Sequence, residues 1–225
     1  MRRLGVTLVV VLGLVPAAAQ GQIFADDFEY GSPNGWSGIE GWAPAAVGRT
    51  GQVTCYDENG AVIPCAGTGQ DGDLRPGVAW PVPRFVDNGD GTVTDNLTNL
   101  IWLKYANCFG SRSWTQALND ANTLSAGWCG LTDGSVAGDW HLPSVNELQS
   151  LVDYEYGQPP LSNAAGTDQW SEGDAFSGVL VGNYWSSSTQ ALWEESAWSV
   201  SFYDGELYHD FKMTGYYVWP ARGPR

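Results

Sequence analysis

Asp139-Trp140-His141-Leu142-Pro143-Ser144-Val145-Asn146-Glu147-Leu148-Gln149-Ser150-Leu151-Val152-Asp153 is the stretch whose reading decides the fold. Ser144 followed three residues later by Glu147 makes a capping box. The serine hydroxyl accepts from the Glu147 N–H, and the Glu147 carboxylate reaches back to the Ser144 N–H. Leu142 ahead of the cap supplies an apolar staple. Val145, Leu148, Leu151 and Val152 then recur at helical spacing, which predicts a helix running to Asp153 with Asn146, Glu147, Gln149 and Ser150 toward solvent. Trp140 and Pro143 fix the angle at which the chain meets it, and a structural hydrogen bond is the expected role of His141, just before the cap.

Working outward, Trp114, Ala117, Leu118, Ala121 and Leu124 share a helical face behind Ser113, and predict a first helix that runs to Cys129. Upstream, Pro83 to Asp95 reads as strand, tight turn, strand, and Asn99 to Leu103 as a buried strand. Farther upstream, Val53 to Cys65 reads as a hairpin turning at Asn59-Gly60, and Gly67 to Gly77 as loop. Downstream, residues 154–182 form a long connection rich in Gly, Pro, Asn and Ser, the kind of loop that carries function in a compact domain. Three aromatic segments that suit strands follow: Asn183 to Ser188, Ala197 to Phe202, and Tyr217 to Gly223.

The chain starts with Arg2 and Arg3, an apolar run from Leu4 to Val15 and a small-residue site at Ala17-Ala18-Ala19. This reads as a signal peptide over residues 1–19, so the protein is expected to be exported and secreted or held at the cell surface. No apolar run is long enough for a membrane span. No lipobox cysteine follows the leader, so a lipid anchor is not expected. The formal net charge is −15, which repels nucleic acid, anionic lipid and heparin-like polyanions. The four cysteines suit two disulfides in an exported protein, with Cys55–Cys65 and Cys108–Cys129 favoured because each pair brackets one local unit. The spacing lacks Cys-x-x-Cys, which weakens a zinc reading. Asp87 and Asp90 lie in an Asp-Asn-Gly-Asp-Gly turn that resembles a fragment of a calcium loop, with Asp95 a further candidate ligand just after it. The bidentate Glu that closes such a loop is missing. No cofactor is otherwise expected.

Seven motifs occur in order: Gly91-Thr92-Val93-Thr94-Asp95; Leu100-Ile101-Trp102; the helix with Trp114 and Ala117; Trp140 to Ser144 with Glu147-Leu148; Tyr184-Trp185-Ser186-Ser187; Ala197-Trp198 with Phe202 and Gly205; and Tyr217-Val218 with Arg222-Gly223. Over about residues 83–223 they resemble the family named for the C-terminal domain of the Legionella collagen-like protein. Two departures stand out: His141, where that family commonly has Arg, and Trp219-Pro220-Ala221, where many relatives carry a Cys.

The resemblance implies an α+β fold of C-type-lectin-like type, in its formylglycine-generating-enzyme subtype: two helices packed on small twisted antiparallel sheets, with many loops. The expected organisation is an irregular segment with a stapled hairpin over residues 20–82 and a ligand-binding domain over 83–225. It further implies adhesion to a protein or glycan ligand rather than a reaction. Formylglycine-generating enzymes use a reactive cysteine pair, and the cysteines here read as staples. Calcium-dependent lectin activity is the alternative, and an enzyme of that type a second one. The sequence holds no Gly-x-Ser-x-Gly elbow, His-Glu-x-x-His or Gly-x-x-x-x-Gly-Lys phosphate-binding loop.

The lectin-like class is also similar to target proteins of diversity-generating retroelements, whose C-terminal part carries a mutable binding surface. On that basis the expected ligand-binding residues are Gln190, Leu192, Glu194, Glu195, Ser199, Ser201, Tyr203, Glu206, Tyr208, His209, Asp210, Phe211, Met213, Thr214 and Tyr216. Tyr, His, Asp, Phe, Thr and Ser are reached when the adenines of an Asn codon are replaced; Gln, Glu and Met need other codons. A surface of Tyr with small polar residues is also what paratopes use. Trp102, Trp140, Trp185 and Trp198 are expected to fill the core instead.

Overall fold

The computed structural model describes residues 47–223, so the expected signal peptide and residues 20–46 lie outside the described residues. The elements in order are β1 (Cys55–Tyr56), β2 (Val62–Ile63), α1 (Asp71–Leu74), β3 (Phe85–Asp87), β4 (Thr92–Asp95), β5 (Ile101–Leu103), α2 (Trp114–Thr123), α3 (Val145–Gln149), β6 (Asn183–Thr189), β7 (Ser196–Ser201), β8 (Leu207–Phe211) and β9 (Ala221–Arg222). They form three antiparallel sheets with strand orders β1-β2, β3-β4-β5-β9 and β6-β7-β8. This is an α+β fold with few helices and small sheets. Among the described residues no helix is long and apolar enough to cross a membrane.

The capping box of the organising helix forms: Ser144 Oγ accepts from Glu147 N at 3.3 Å, and Glu147 Oε2 accepts from Ser144 N at 2.8 Å. Its α-helical part is shorter than the spacing predicts and ends at Gln149. Beyond it Leu151 N–H donates to Leu148 O and Val152 N–H to Gln149 O, each three residues back. Such tighter turns keep Leu151 and Val152 buried while redirecting the chain. α2 also stops early, at Thr123 rather than near Cys129. Cys55–Cys65 and Cys108–Cys129 are both disulfide-bonded, with Cα–Cα distances of 5.2 and 5.6 Å. The loop expected over 67–77 contains the single turn α1, started by Gln70, whose backbone carbonyl accepts from Asp73 and Leu74 N–H.

The core has two parts. In the larger, Trp219 is wholly buried and meets Phe176 at 5.0 Å, Phe202 at 5.4 Å, Tyr184 at 5.6 Å and Trp102 at 5.9 Å. In the smaller, Ala117 and Ala121 of α2 sit with Leu142, Trp185, Ala197 and Val218. The small alanine faces let α2 lie close on β6. Phe176, Val179 and Leu161 come from the long 154–182 connection, so that stretch is core as well as loop.

Arg84 and Asp95 are fully buried, with Nε to Oδ1 at 3.7 Å, and Asp153 lies beside them. Burial lowers the Arg84 pKa and raises that of Asp95, each opposed by the other's charge. Asp153 is pushed up to about 6 by burial, against a hydrogen bond from Glu155 N–H and the charge of Arg84. A carboxyl raised in the folded state keeps its proton where the unfolded chain has released it, so its contribution favours folding at acid pH and fades as pH rises through that window. Between about pH 4 and 7, Asp153→Asn should therefore gain on wild type by on the order of 2–3 kcal/mol. Urea melts of both proteins at the two pH values check this; parallel pH dependence would contradict it.

Candidate ligand-binding face

β6 and β7 are packed on both sides. Tyr184 and Val200, paired across the strands, enter the larger core, while Trp185 and Ala197 enter the smaller one. Ser199 stands opposite Trp185 and is fully buried. β8 is different. It lies at the open edge of the sheet, and all of its side chains are exposed except the half-buried Asp210. Ser201 N–H donates to Glu206 O and Lys212 N–H to Glu195 O, flanking the β7–β8 ladder at both ends. Antiparallel alternation from those two bonds turns the backbone groups of Leu207 and His209 away from β7.

Two loops and a tail flank this edge, each tied by its own side chains. In the β6–β7 loop, buried Gln190 accepts from the N–H groups of Leu192 and Trp193 through Oε1, and Ser196 N–H donates to Trp193 O. In the β7–β8 loop, Ser201 Oγ accepts from Tyr203 N, and Gly205 has φ +82° where a Cβ would stand 2.9 Å from Val152 Cγ1. A side chain at Gly205 would press this turn away from the tight turns that follow α3. After β8, Tyr216 Oη donates to Asp210 Oδ2 at 2.8 Å, and Lys212 Nζ donates to Glu194 O while lying over the Trp114 ring.

The resulting face is apolar and aromatic with an acidic rim. Met213 is 91% exposed, Leu192 80%, Phe211 61% and Tyr203 54%. Trp193 stacks on His209 with ring centroids 4.9 Å apart, and Trp198 meets the same imidazole edge-on. Glu194, Glu195, Asp204 and Glu206 surround these groups and are exposed. Tyr208 Oη donates to Glu206 Oε2 at 2.9 Å, and that bond pushes the phenol pKa up to about 12, so it stays protonated. Burial opposes ionisation of Asp210, but hydrogen bonds from Tyr216, Phe211 N–H and Thr214 bring its pKa below the usual carboxylate range.

Of the residues expected here, Leu192, Glu194, Glu195, Tyr203, Glu206, Tyr208, His209, Phe211 and Met213 are exposed and flank or lie on the same edge. Asp210, Thr214 and Tyr216 are half-buried and hold the tail. Gln190, Ser199 and Ser201 do not belong to the face. All three are buried, because Gln190 organises its loop from inside and β7 is covered on both sides. Trp193 and Leu207, about half exposed beside His209 and Phe211, were not expected. The signal for Trp193 was its place in Leu192-Trp193-Glu194-Glu195, an apolar pair running straight into two acids.

The three aspartates in and after the calcium-like turn do not converge. Asp87 binds Lys104 Nζ at 2.5 Å, Asp90 accepts from Thr92 N and Oγ1, and Asp95 faces Arg84. Among the described residues no group of three or more His, Cys, Asp or Glu could hold a metal ion. The turn uses its carboxylates to close itself. His141 Nε2 lies 3.3 Å from Glu147 Oε1, and its backbone pairs with Ala221.

The model of the Lcl C-terminal domain family matches residues 91–222, from β4 to β9 with the whole candidate face included. No curated protein matches the chain. With more than half of its length covered by that match, the chain belongs to the Lcl C-terminal domain family.

Proposed function

We propose that this is an exported, non-catalytic adhesion protein that captures a ligand on the face built around β8. The carrying observation is that the described residues leave uncovered an edge strand with outward-turned backbone groups, with Phe211 on the strand itself and Leu192, Trp193, Tyr203 and Met213 in the segments beside it. Soluble proteins usually blunt such edges, and an uncovered apolar one suits strand addition by a partner. The acidic rim and the overall charge favour a protein ligand with basic residues over an anionic glycan. Engagement of all four cysteines in disulfides supports binding over a thiol-dependent reaction.

The fold subtype we assign is the C-type-lectin-like one. In it, the alternation of exposed variable-type residues with buried ones over 190–216 suits a surface diversified by a retroelement. Sequencing the DNA beside the gene tests that refinement. A near copy of the codons for 183–223, differing at adenines and lying next to a reverse-transcriptase gene, supports it; no such copy means a fixed surface.

Binding itself is tested by screening protein and glycan arrays with the full chain and with a variant carrying Tyr203, Tyr208, His209 and Asp210 all changed to Ala. The variant should lose at least about tenfold in affinity for whatever the wild type captures. Equal capture by both would remove the β8 face from the account.

A further inference from the structure

The described residues contain seven Lys and Arg, and five of them are engaged. Arg84, Lys104, Arg112 and Arg222 pair with Asp95, Asp87, Asp120 and Asp133, and Lys212 binds Glu194 O and the Trp114 ring. Only the side chains of Arg49 and Arg75, among the described residues, make neither an ion pair nor a hydrogen bond, and both line one cavity of about 320 Å³. In a chain of net charge −15, two free guanidiniums meeting in one hollow is not what a solvated acidic surface produces. The cavity lies outside the β8 face, with one wall from residues 49–82, most of it upstream of the family match.

The cavity is built rather than incidental. Trp80 Nε1 donates to Arg49 O at 2.9 Å, and the Arg84 guanidinium lies 3.9 Å from the centre of the Trp80 ring, fixing that indole from behind. Gly51, at φ +95°, brings the backbone so near Asp153 that a Cβ would fall 2.1 Å from its Oδ1. Thr50 Oγ1 donates to Asp71, which ties α1 to the same wall. Arg75 ends α1 at φ 46°, a left-handed conformation that usually falls to Gly or Asn. A long cationic residue at that strained position puts its side chain on the lining. Arg49 Nε is buried in the cavity wall and has no partner there.

The lining mixes signs. Arg49 and Arg75 attract an anion, while Asp71 and Asp153 repel a multiply charged one and accept from hydroxyls; Trp80 and Tyr156 offer aromatic surface. A volume near 300 Å³ suits a molecule of one ring. We propose that this cavity binds a small sugar acid, with its carboxylate between Arg49 and Arg75, hydroxyls donating to Asp71 and Asp153, and its ring against Trp80. Phosphate has charge without an apolar face, and a neutral sugar has hydroxyls without the carboxylate; each satisfies only part of the lining.

Calorimetric titration of the full chain with D-glucuronate, D-galacturonate, D-glucose and inorganic phosphate at neutral pH is the test. At least one uronate should bind saturably, and glucose and phosphate at least about tenfold more weakly. Arg75→Gln, a change at an exposed position, should leave the melting temperature of the free protein in place and weaken uronate binding about tenfold or more. Absence of saturable uronate binding, phosphate binding as tight as uronate, or unchanged affinity in Arg75→Gln would each overturn the assignment. None of these outcomes bears on ligand capture at β8.

Discussion

Trp219→Ala is expected to lower stability by about 3–5 kcal/mol, enough to threaten folding of a domain of ordinary stability. Trp219 is fully buried and touches aromatic rings from β5, β6, the long connection and the turn after β7, so truncation empties the point where these segments meet. Its Nε1 also donates to Leu103 O at 2.8 Å, which leaves that carbonyl unpaired when the indole is removed. Neighbouring rings are large and held by one another, so collapse into the void is limited and the loss belongs at the upper end of the range. Trp219→Phe keeps most of the volume and should cost about 1–3 kcal/mol, largely the lost hydrogen bond. Guanidinium melts of the three proteins check the order. A Trp219→Ala loss below that of Trp219→Phe would mean that this residue is not the hub of the core.

Asp95→Ala should also cost about 3–5 kcal/mol, for a different reason. Removing the carboxylate strands the Arg84 guanidinium in the interior, where its other contacts are Ser150 O, the rings of Trp80 and Phe85, and the more distant charge of Asp153. It also removes the acceptor for Leu97 N–H and Thr98 Oγ1 that shapes the turn into β5. Arg84→Met with Asp95→Ala together should be less destabilised than Asp95→Ala alone, because an apolar chain needs no counter-charge there. If the double variant is weaker by the sum of the two single losses, the pair is not coupled and the turn bonds account for the effect.

These two sites show what was legible in the sequence. The capping box at Ser144 and Glu147, the Asn59-Gly60 hairpin and the β3–β4 turn are local, set by residues a few positions apart, and the chain folds there as its spacing predicts. The length of α3 was not legible, because helical spacing continues through Leu151 and Val152 after the bonding has tightened to three-residue steps. Nor was the burial of Ser199 and Ser201. A strand covered on both faces loses the polar–apolar alternation that marks a solvent side, and small serines there make room for Trp185 and its neighbours. The exposure of Tyr203 and Tyr208 could be read from the acidic and polar residues around them, whereas the other residues of the candidate face were expected from the resemblance. That β8 is an edge strand depends on strand order, which no local pattern encodes. The cavity of Arg49 and Arg75 joins segments a hundred residues apart, as in the bond from Tyr154 N–H to Thr50 O, and left no mark in either segment alone.

Capture of a ligand by the β8 face is the central claim, and amide hydrogen exchange of the full chain, free and with its captured ligand, tests it most directly. Protection gained at Leu207 and His209 on β8, and in the flanking loops around Leu192, Trp193 and Tyr203, is the result expected. Protection confined to other parts of the chain, with β8 exchanging as fast as in the free protein, would contradict it.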